Sequence, residues 1–336
     1  MKTVLAIESS CDETAVAIAK GTREILCSEI ASQVEIHQPY GGVVPELASR
    51  NHNLAIRHVL ASALESAGLT LPEIDAVAAT AGPGLASSLL VGDTTGKAIA
   101  IGLGKPFYSI NHIEGHLLSP FIGDEKGIRP CVALVVSGGH TLLVDIRDVS
   151  DYEVLGSTKD DAAGEAFDKV GKMLELPYPG GPEIDQLSRE GNSTTYDFPR
   201  SMIDSGDFQF SFSGLKTAVF YQLQKLPEPV PSDLLPDLCA SFQEAVVDVL
   251  VAKTLAAART TNRNLVTVSG GVSCNSRLRK KMTEACDSAG FELKIATPHH
   301  STDNAAMIAF AAAAQIESGV APSALDTDVN PNLAIQ

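Results

Sequence analysis

The sequence is short of positive charge: 25 Lys and Arg face 41 Asp and Glu, a formal net charge of −16. Nucleic-acid phosphates are held mainly by Lys and Arg, so a broad electrostatic interface with nucleic acid is excluded and only a local patch could serve. The densest basic cluster is Arg277, Arg279, Lys280 and Lys281, which reads either as such a patch or as the solvated face of a helix. Long apolar runs are lacking too. Hydrophobic residues make up 44% of the chain, enough for sizeable cores, yet no uninterrupted run reaches the roughly 18 residues of a membrane span. Met1-Lys2-Thr3 passes directly into the strand-like run Val4-Leu5-Ala6-Ile7, so no signal peptide is expected. The six cysteines (Cys11, Cys27, Cys131, Cys239, Cys274, Cys286) contain no C-x-x-C pair and read as free thiols in a reducing cytoplasm. Neither the phosphate-loop pattern G-x-x-x-x-G-K-S/T nor a G-x-G-x-x-G fingerprint occurs.

What is present suggests two α/β domains in 336 residues. Residues 4–7, a polar turn at 8–14 and the apolar run 15–19 read as a hairpin. A related plan recurs at 131–136, 137–140 and 141–146, about 125 residues on, and points to an internal duplication. Between them, residues 51–67 have helical periodicity, 75–80 read as a buried strand, and a helix over 85–103 follows the turn Ala81-Gly82-Pro83-Gly84. Further on, a short helix ends near Leu174, and Pro177 to Pro182 mark a turn. Pro227, Pro229, Pro231 and Pro236 make a stiff connector before a long helix over 238–260. Strands are predicted at 264–268 and 291–296, and a helix at 305–317 capped by Ser301 to Asn304. After Gly319 the chain reads as loop or frayed tail.

The stretch Asn111-His112-Ile113-Glu114-Gly115-His116 carries the strongest chemical signal. Two imidazoles four residues apart lie on one face of a helical turn and can reach one ion, although such pairs also occur capped or solvated. The zinc-protease signature H-E-x-x-H does not apply. Glu114 stands two positions after His112, about 200° around a helix, and points away from any shared ion. A third ligand is needed, and Asp303 is a candidate, with helix capping as its alternative role. Three glycine-bearing turns follow apolar strands, at Gly82, at Gly138-Gly139 and at Gly270-Gly271, and such turns let backbone amides approach a phosphate. Together with the acidic turn at Asp12 they favour a nucleotide-binding α/β enzyme. Asp168 and Asp185 flank Gly180-Gly181, where a carboxylate could hold hydroxyls or cap the turn.

A family resemblance rests on the runs Glu8-Ser-Ser-Cys-Asp-Glu-Thr14, Gly41-Gly-Val-Val-Pro-Glu-Leu-Ala-Ser-Arg50, His112-Ile-Glu-Gly-His116, Val136-Ser-Gly-Gly-His140 and Ala163-Gly-Glu-Ala-Phe-Asp168. Tyr178-Pro-Gly-Gly-Pro182, Phe210-Ser-Phe-Ser-Gly-Leu-Lys216 and Ser269-Gly-Gly-Val-Ser273 extend it. Over residues 3–312 the chain resembles the tRNA adenosine threonylcarbamoyltransferase family, formerly the glycoprotease family, in its bacterial branch. The resemblance implies an α/β, duplicated actin/Hsp70/sugar-kinase (RNase H-like) fold of two lobes with a cleft between them. It places the N-terminal lobe at 1–125, the C-terminal lobe at 126–302, and a helix near 303–320 packing back onto the first.

The implied reaction transfers threonylcarbamoyl from threonylcarbamoyl-AMP to the N6 amine of the adenosine just 3′ of the anticodon, in tRNAs reading codons that begin with A. By the same resemblance His112, His116 and Asp303 match the ligands of one divalent ion, Fe2+ ahead of Zn2+. Val136, Ser137, Gly138, Gly139, His140, Asp168, Gly181, Asp185 and Asn275 match the positions that hold the adenylate. The implied partners are tRNA, a non-catalytic paralogue and a small P-loop ATPase, in the cytoplasm and without a membrane. Asn111 replaces a His common in the family, a departure of little expected consequence, and the tail Asp328-Val-Asn-Pro-Asn-Leu333 lacks the expected basic and aromatic residues. For the chemistry, Asp12 or Glu13 is assigned to orient or deprotonate the attacking amine. The competing readings are a kinase or chaperone-like ATPase of the same fold, which needs no His-pair metal, and a binding-only paralogue, which would be expected to lose the ligands.

Overall fold

In the computed structural model, which describes residues 1–335, the chain forms two compact units. One comprises Met1–Arg129, Asp148–Tyr152 and the residues from Thr302 on; the other comprises Pro130–Arg147 and Glu153–Ser301.

The first unit is built on strands β1 (Thr3–Glu8), β2 (Glu13–Lys20), β3 (Glu24–Ser32), β4 (Ala76–Gly82) and β5 (Phe107–Asn111), in the order β3-β2-β1-β4-β5. β1 runs antiparallel to β2, from Thr3↔Lys20 to Glu8↔Ala15, and parallel to β4. Its apolar run is buried throughout because it lies in the middle of the sheet with both faces covered. The second unit repeats the plan with β6 (Cys131–Val136), β7 (Thr141–Asp148), β8 (Asp151–Ser157), β9 (Leu265–Ser269) and β10 (Glu292–Ile295). Its order is β10-β9-β6-β7-β8, with β6 antiparallel to β7 and parallel to β9. The same third-second-first-fourth-fifth arrangement in both sheets is the duplication that the two hairpins announced.

Three strands escaped the sequence reading, all of them edge strands: β3, β5 and β8. The residues of β3 and β8 are mostly half-exposed or exposed, so they carry no continuous apolar run, while β5 is mostly buried but only five residues long, with Ser109 and Asn111 interrupting its apolar residues. Helix starts were also placed too late. The helix Pro45–Ala67 begins six residues before the expected 51, and Leu235–Thr260 takes in Pro236, which the sequence reading assigned to the connector. In both a proline occupies the first turn, where its missing N–H is not needed. The expected turn at 177–182 is shorter than predicted, because Gly180 already opens the helix Gly180–Ser188.

The Ala-rich helix Ala305–Glu317 is buried over its first ten residues and packs on β1, β2 and the helix His112–Leu118. Small side chains permit that close approach: a Cβ on Gly115 would lie 2.9 Å from Ile308 Cδ1. The long helix Leu235–Thr260 anchors the core of the second unit, with Phe242 packed edge-on against Phe167 at 5.2 Å between ring centroids.

Candidate metal centre and glycine loops

β5 ends at Asn111, whose Oδ1 accepts the Ile113 N–H at 2.8 Å and so caps the helix His112–Leu118. One turn of that helix stacks His112 and His116, rings 4.8 Å apart and nearly perpendicular. Asp303 stands just before the helix Ala305–Glu317. Capping of that helix falls to Asn304, which accepts the Met307 N–H at 3.0 Å, so the Asp303 carboxylate turns to the imidazoles instead. Its Oδ1 lies 3.1 Å from His116 Nε2 and 3.5 Å from His112 Nε2, and the three prospective ligand atoms lie within 4.8 Å of one another. Two ligands each about 2.1 Å from one ion stand about 3.0–3.4 Å apart at right or tetrahedral angles. The two carboxylate–imidazole distances match that spacing and the donor types suit a divalent ion, around which the two imidazoles would draw closer together. Both imidazoles are buried while Asp303 remains partly open, so an ion here would keep a side for a further oxygen ligand.

Glu8, the last residue of β1, completes this arrangement, and the sequence reading quoted it without giving it a role. It is wholly buried, and its Oε2 lies 3.1 Å from His112 Nδ1. Thr80 Oγ1 donates to the same oxygen at 2.7 Å, and the Ser10 N–H donates to Oε1 at 2.5 Å. A carboxylate on the far nitrogen of an imidazole fixes the tautomer and turns the near nitrogen to the ion. Burial alone would raise the Glu8 carboxyl, but the His112 imidazole outweighs it and holds the group below its usual value. Burial likewise disfavours a His112 cation, yet Asp303 and Glu8 together push it up to about 9. The readable signal was an acid closing an apolar central strand, since a buried Glu needs a partner. Glu114 behaves as expected: it is buried away from the centre, accepting from Tyr152 Oη at 2.9 Å and Gln315 Nε2 at 2.7 Å.

Asp12 and Glu13 lie at the β1–β2 turn and the start of β2. A second unpredicted residue, His52, holds that turn from below. Its Nε2 lies 3.0 Å from the Cys11 carbonyl oxygen and its Nδ1 2.8 Å from Thr14 Oγ1. Burial lowers the His52 pKa, so the ring is neutral, donating from Nε2 and accepting at Nδ1. Burial, then the charges of Asp12, Asp303 and Glu8, raise the Glu13 carboxyl well above the usual carboxylate range. The Cys11 thiol is driven far up by burial and by Asp12 and Asp303, which leaves it inert as a nucleophile.

In the second unit, β6 runs out at Val136 into the turn Ser137 to His140. The Ser137 N–H donates to the His140 carbonyl at 2.8 Å, and Gly138 and Gly139 are exposed at the tip. The helix Ala163–Met173 starts against this turn: the Gly164 N–H donates to the Ser137 carbonyl at 3.1 Å, and a Cβ there would come within 2.5 Å of that oxygen. Asp168 on this helix accepts the Gly180 N–H at 2.9 Å, which brings Gly181 beside it. Asp185 accepts from the Ser276 N–H at 3.0 Å and from Arg189 at 3.0 Å. Asn275 caps the helix Ser276–Ala289 by accepting the Leu278 N–H at 2.9 Å, and its Nδ2 donates to Gln243 at 2.5 Å. The nine residues thus form two neighbourhoods: Val136 to His140 with Asp168 and Gly181, and Asp185 with Asn275.

The basic cluster needs correcting. Arg277 is bidentate to Glu244 at 2.6 and 2.9 Å, Lys281 bonds Glu244 and Asp248, and Arg279 donates to the Ala296 carbonyl at 2.7 Å. Lys280, its side chain 67% exposed, is the member turned to solvent. The charges near Glu244 serve the packing of two helices, a use that a run of basic letters cannot disclose.

A β3-β2-β1-β4-β5 sheet repeated in two α/β units defines a protein with the duplicated fold of the actin/Hsp70/sugar-kinase type. Among solved structures the chain is similar to full-length HypF in its phosphate- and nucleotide-bound form, with a TM-score of 0.66 over 95% of this chain and 46% of that one. At 13% identity the likeness concerns the fold alone. The family profile of tRNA N6-adenosine threonylcarbamoyltransferase matches residues 24–310. A protein of that name from Geotalea uraniireducens is 53% identical over 307 residues, 91% of this chain and 89% of the relative. One from Geobacter metallireducens is 50% identical over 328 residues, 97% and 96%. The chain belongs to the tRNA N6-adenosine threonylcarbamoyltransferase family.

Proposed function

We propose that the protein transfers the threonylcarbamoyl group of threonylcarbamoyl-AMP to the N6 amine of the adenosine 3′ of the anticodon, in tRNAs reading codons that begin with A. The observation that carries this reading is the convergence of His112, His116 and Asp303, backed by Glu8, in a chain of this family. His112, His116 and Asp303 hold one divalent ion, Fe2+ ahead of Zn2+, which when bound supplies positive charge for the adenylate phosphate. The exposed amides of Gly138 and Gly139, with Val136, Ser137, His140, Asp168, Gly181, Asp185 and Asn275, are assigned to threonylcarbamoyl-AMP. In the transfer the N6–carbon bond forms, the carbon–oxygen bond to the AMP phosphate breaks, and the proton of the attacking amine passes to a carboxylate. Asp12 is the better placed of the two candidates for that acceptor, since Glu13 is held toward its protonated form. Glu13 then orients the amine by accepting an N6–H at its carbonyl oxygen, which leaves the nitrogen lone pair free to attack.

The partners in this reading are a non-catalytic paralogue and a small P-loop ATPase, in the cytoplasm. Among the described residues no helix is long and apolar enough to cross a membrane. The test is a reconstitution with labelled threonylcarbamoyl-AMP and unmodified tRNA, with and without cytoplasmic extract. Label should appear on the N6 of that adenosine in the presence of extract. Failure to label any tRNA, accompanied by ATP hydrolysis, would replace the reading with an ATPase of the same fold.

A further inference from the structure

Of the two alternatives in the sequence reading for the segment after the helix Ala305–Glu317, loop or frayed tail, the structure shows a loop. It returns along β5 and is tied down at successive points. The Ser323 N–H donates to the Phe107 carbonyl at 2.8 Å, and the Ser109 N–H to Ser323 Oγ at 2.9 Å. Lys97, itself paired to buried Asp93 at 2.8 Å, donates to the Thr327 carbonyl at 2.5 Å. The Asn330 N–H donates to the Ala81 carbonyl at 2.8 Å, and the Gly84 N–H to the Pro331 carbonyl at 3.1 Å. The last ties are to Asn111, whose Nδ2 donates to the carbonyls of Ala334 at 3.2 Å and Leu333 at 3.4 Å.

Most side chains of this segment are exposed, so little apolar burial holds it down. Its position rests on backbone hydrogen bonds, each worth about 0.5–1.5 kcal/mol net, and it is therefore sensitive to the loss of one or two. At Asn111 the bonds do more than hold the segment. Two carbonyls facing one end of the carboxamide select the orientation that puts its nitrogen toward them. That orientation leaves Oδ1 on the Ile113 N–H, which is the cap of the helix carrying both imidazoles.

We propose that residues 323–334 are a strap that orients Asn111 as this cap, and that Asn111 with the strap thereby positions His112 and His116 for their ion. The inference rests on the metal reading above and goes beyond it, because it assigns a role to Asn111 and the strap, which are not among the three prospective ligands.

The test uses the full chain, an Asn111→Ser variant, a chain lacking residues 326–336, and the two changes combined. Serine still caps a helix but is too short to reach the strap carbonyls. Zn2+ affinity is measured by competition with a chelating indicator, and thermal unfolding is measured on the metal-free forms. Each single change should weaken Zn2+ binding about tenfold, the scale seen for partners that orient metal ligands. The unfolding temperature of Asn111→Ser should stay at the parent value, whereas the truncated chain, which loses the ties at Thr327, Asn330 and Pro331, should unfold lower. The combined variant should lose no more Zn2+ affinity than either single one, because both act through the same carboxamide. Parent-like Zn2+ affinity in either single variant, additive losses in the combined one, or a loss in Asn111→Ser accompanied by a fall in its unfolding temperature would each overturn the strap. A parent chain that binds no Zn2+ and, assayed anaerobically, no Fe2+ would overturn the metal reading beneath it.

Discussion

Among single side chains, His116 offers the sharpest discrimination. It is fully buried, and its Nδ1 has no hydrogen-bond partner among the described residues, so its polar connection runs through Nε2 to Asp303. His116→Ala should abolish stoichiometric metal and threonylcarbamoyl transfer together while the far-ultraviolet circular dichroism stays native. A variant that retained both metal and transfer would end the assignment. Gly139 allows a complementary test on the substrate side. No atom lies within 4 Å of where its Cβ would be, so Gly139→Val should change stability by no more than about 0.5 kcal/mol. Titration with threonylcarbamoyl-AMP should nonetheless show at least a tenfold loss of affinity, and unchanged binding would reduce the turn to a connection between two strands. The meeting of His112 and His116 was legible because a four-residue His spacing maps directly onto one helix face, and Asp303 lies beside them. His52 was not, since it acts on residues far away in sequence, and for Glu8 the end of an apolar strand signals a buried acid without naming its partner, His112.

At the level of elements, the packing of Leu235–Thr260 against Ser276–Ala289 turns on Glu244. Hydrogen bonds from Arg277 outweigh the effect of burial and, with Lys281, hold its carboxyl down at about 2. A carboxyl depressed in the folded state stabilises above its unfolded pKa, and the contribution is lost as pH falls through the folded value. Glu244→Gln should therefore destabilise the second unit at pH 7 by about 1 kcal/mol, given solvent screening at the exposed ends of its partners. Unfolding midpoints of parent and variant should differ by a constant amount down to about pH 4.5 and converge toward pH 2. A difference that persists at pH 2 would point to lost packing instead. Element boundaries were misread where proline sits in a first helical turn, and the strands missed were the edges. Local pattern reports a buried face well and a half-exposed one poorly.

For the whole molecule, charge and function oppose each other. A chain of net charge −16 should bind tRNA weakly by itself at physiological salt. Three of the four members of the basic cluster are hydrogen-bonded within the second unit and the exposed Lys280 reaches Glu284 at 4.0 Å, so Lys280→Glu should alter the log–log salt slope of tRNA binding by no more than about one. A larger change, measured by filter binding across salt concentrations, would restore the cluster as the docking surface. The duplication was legible because a central strand is apolar throughout and recurs. The sheet orders were not, because pairing partners are chosen by tertiary packing and strand neighbours are not always sequence neighbours.

The division of the chain has a consequence for its synthesis. The second unit is inserted into the first, which takes back only Asp148–Tyr152 before it resumes at Thr302, and His116 and Asp303 lie 187 positions apart. On the ribosome, domains fold as units in the order they emerge, at about 5–20 residues per second. The opening strands and the His pair must therefore wait, with an incomplete core, while the inserted unit is made and folds. Only when the Ala-rich helix arrives can the earliest part of the chain bury β1 and β2, and it brings the last ligand with it. A nascent chain is consequently unable to bring His112, His116 and Asp303 together before its scaffold is finished.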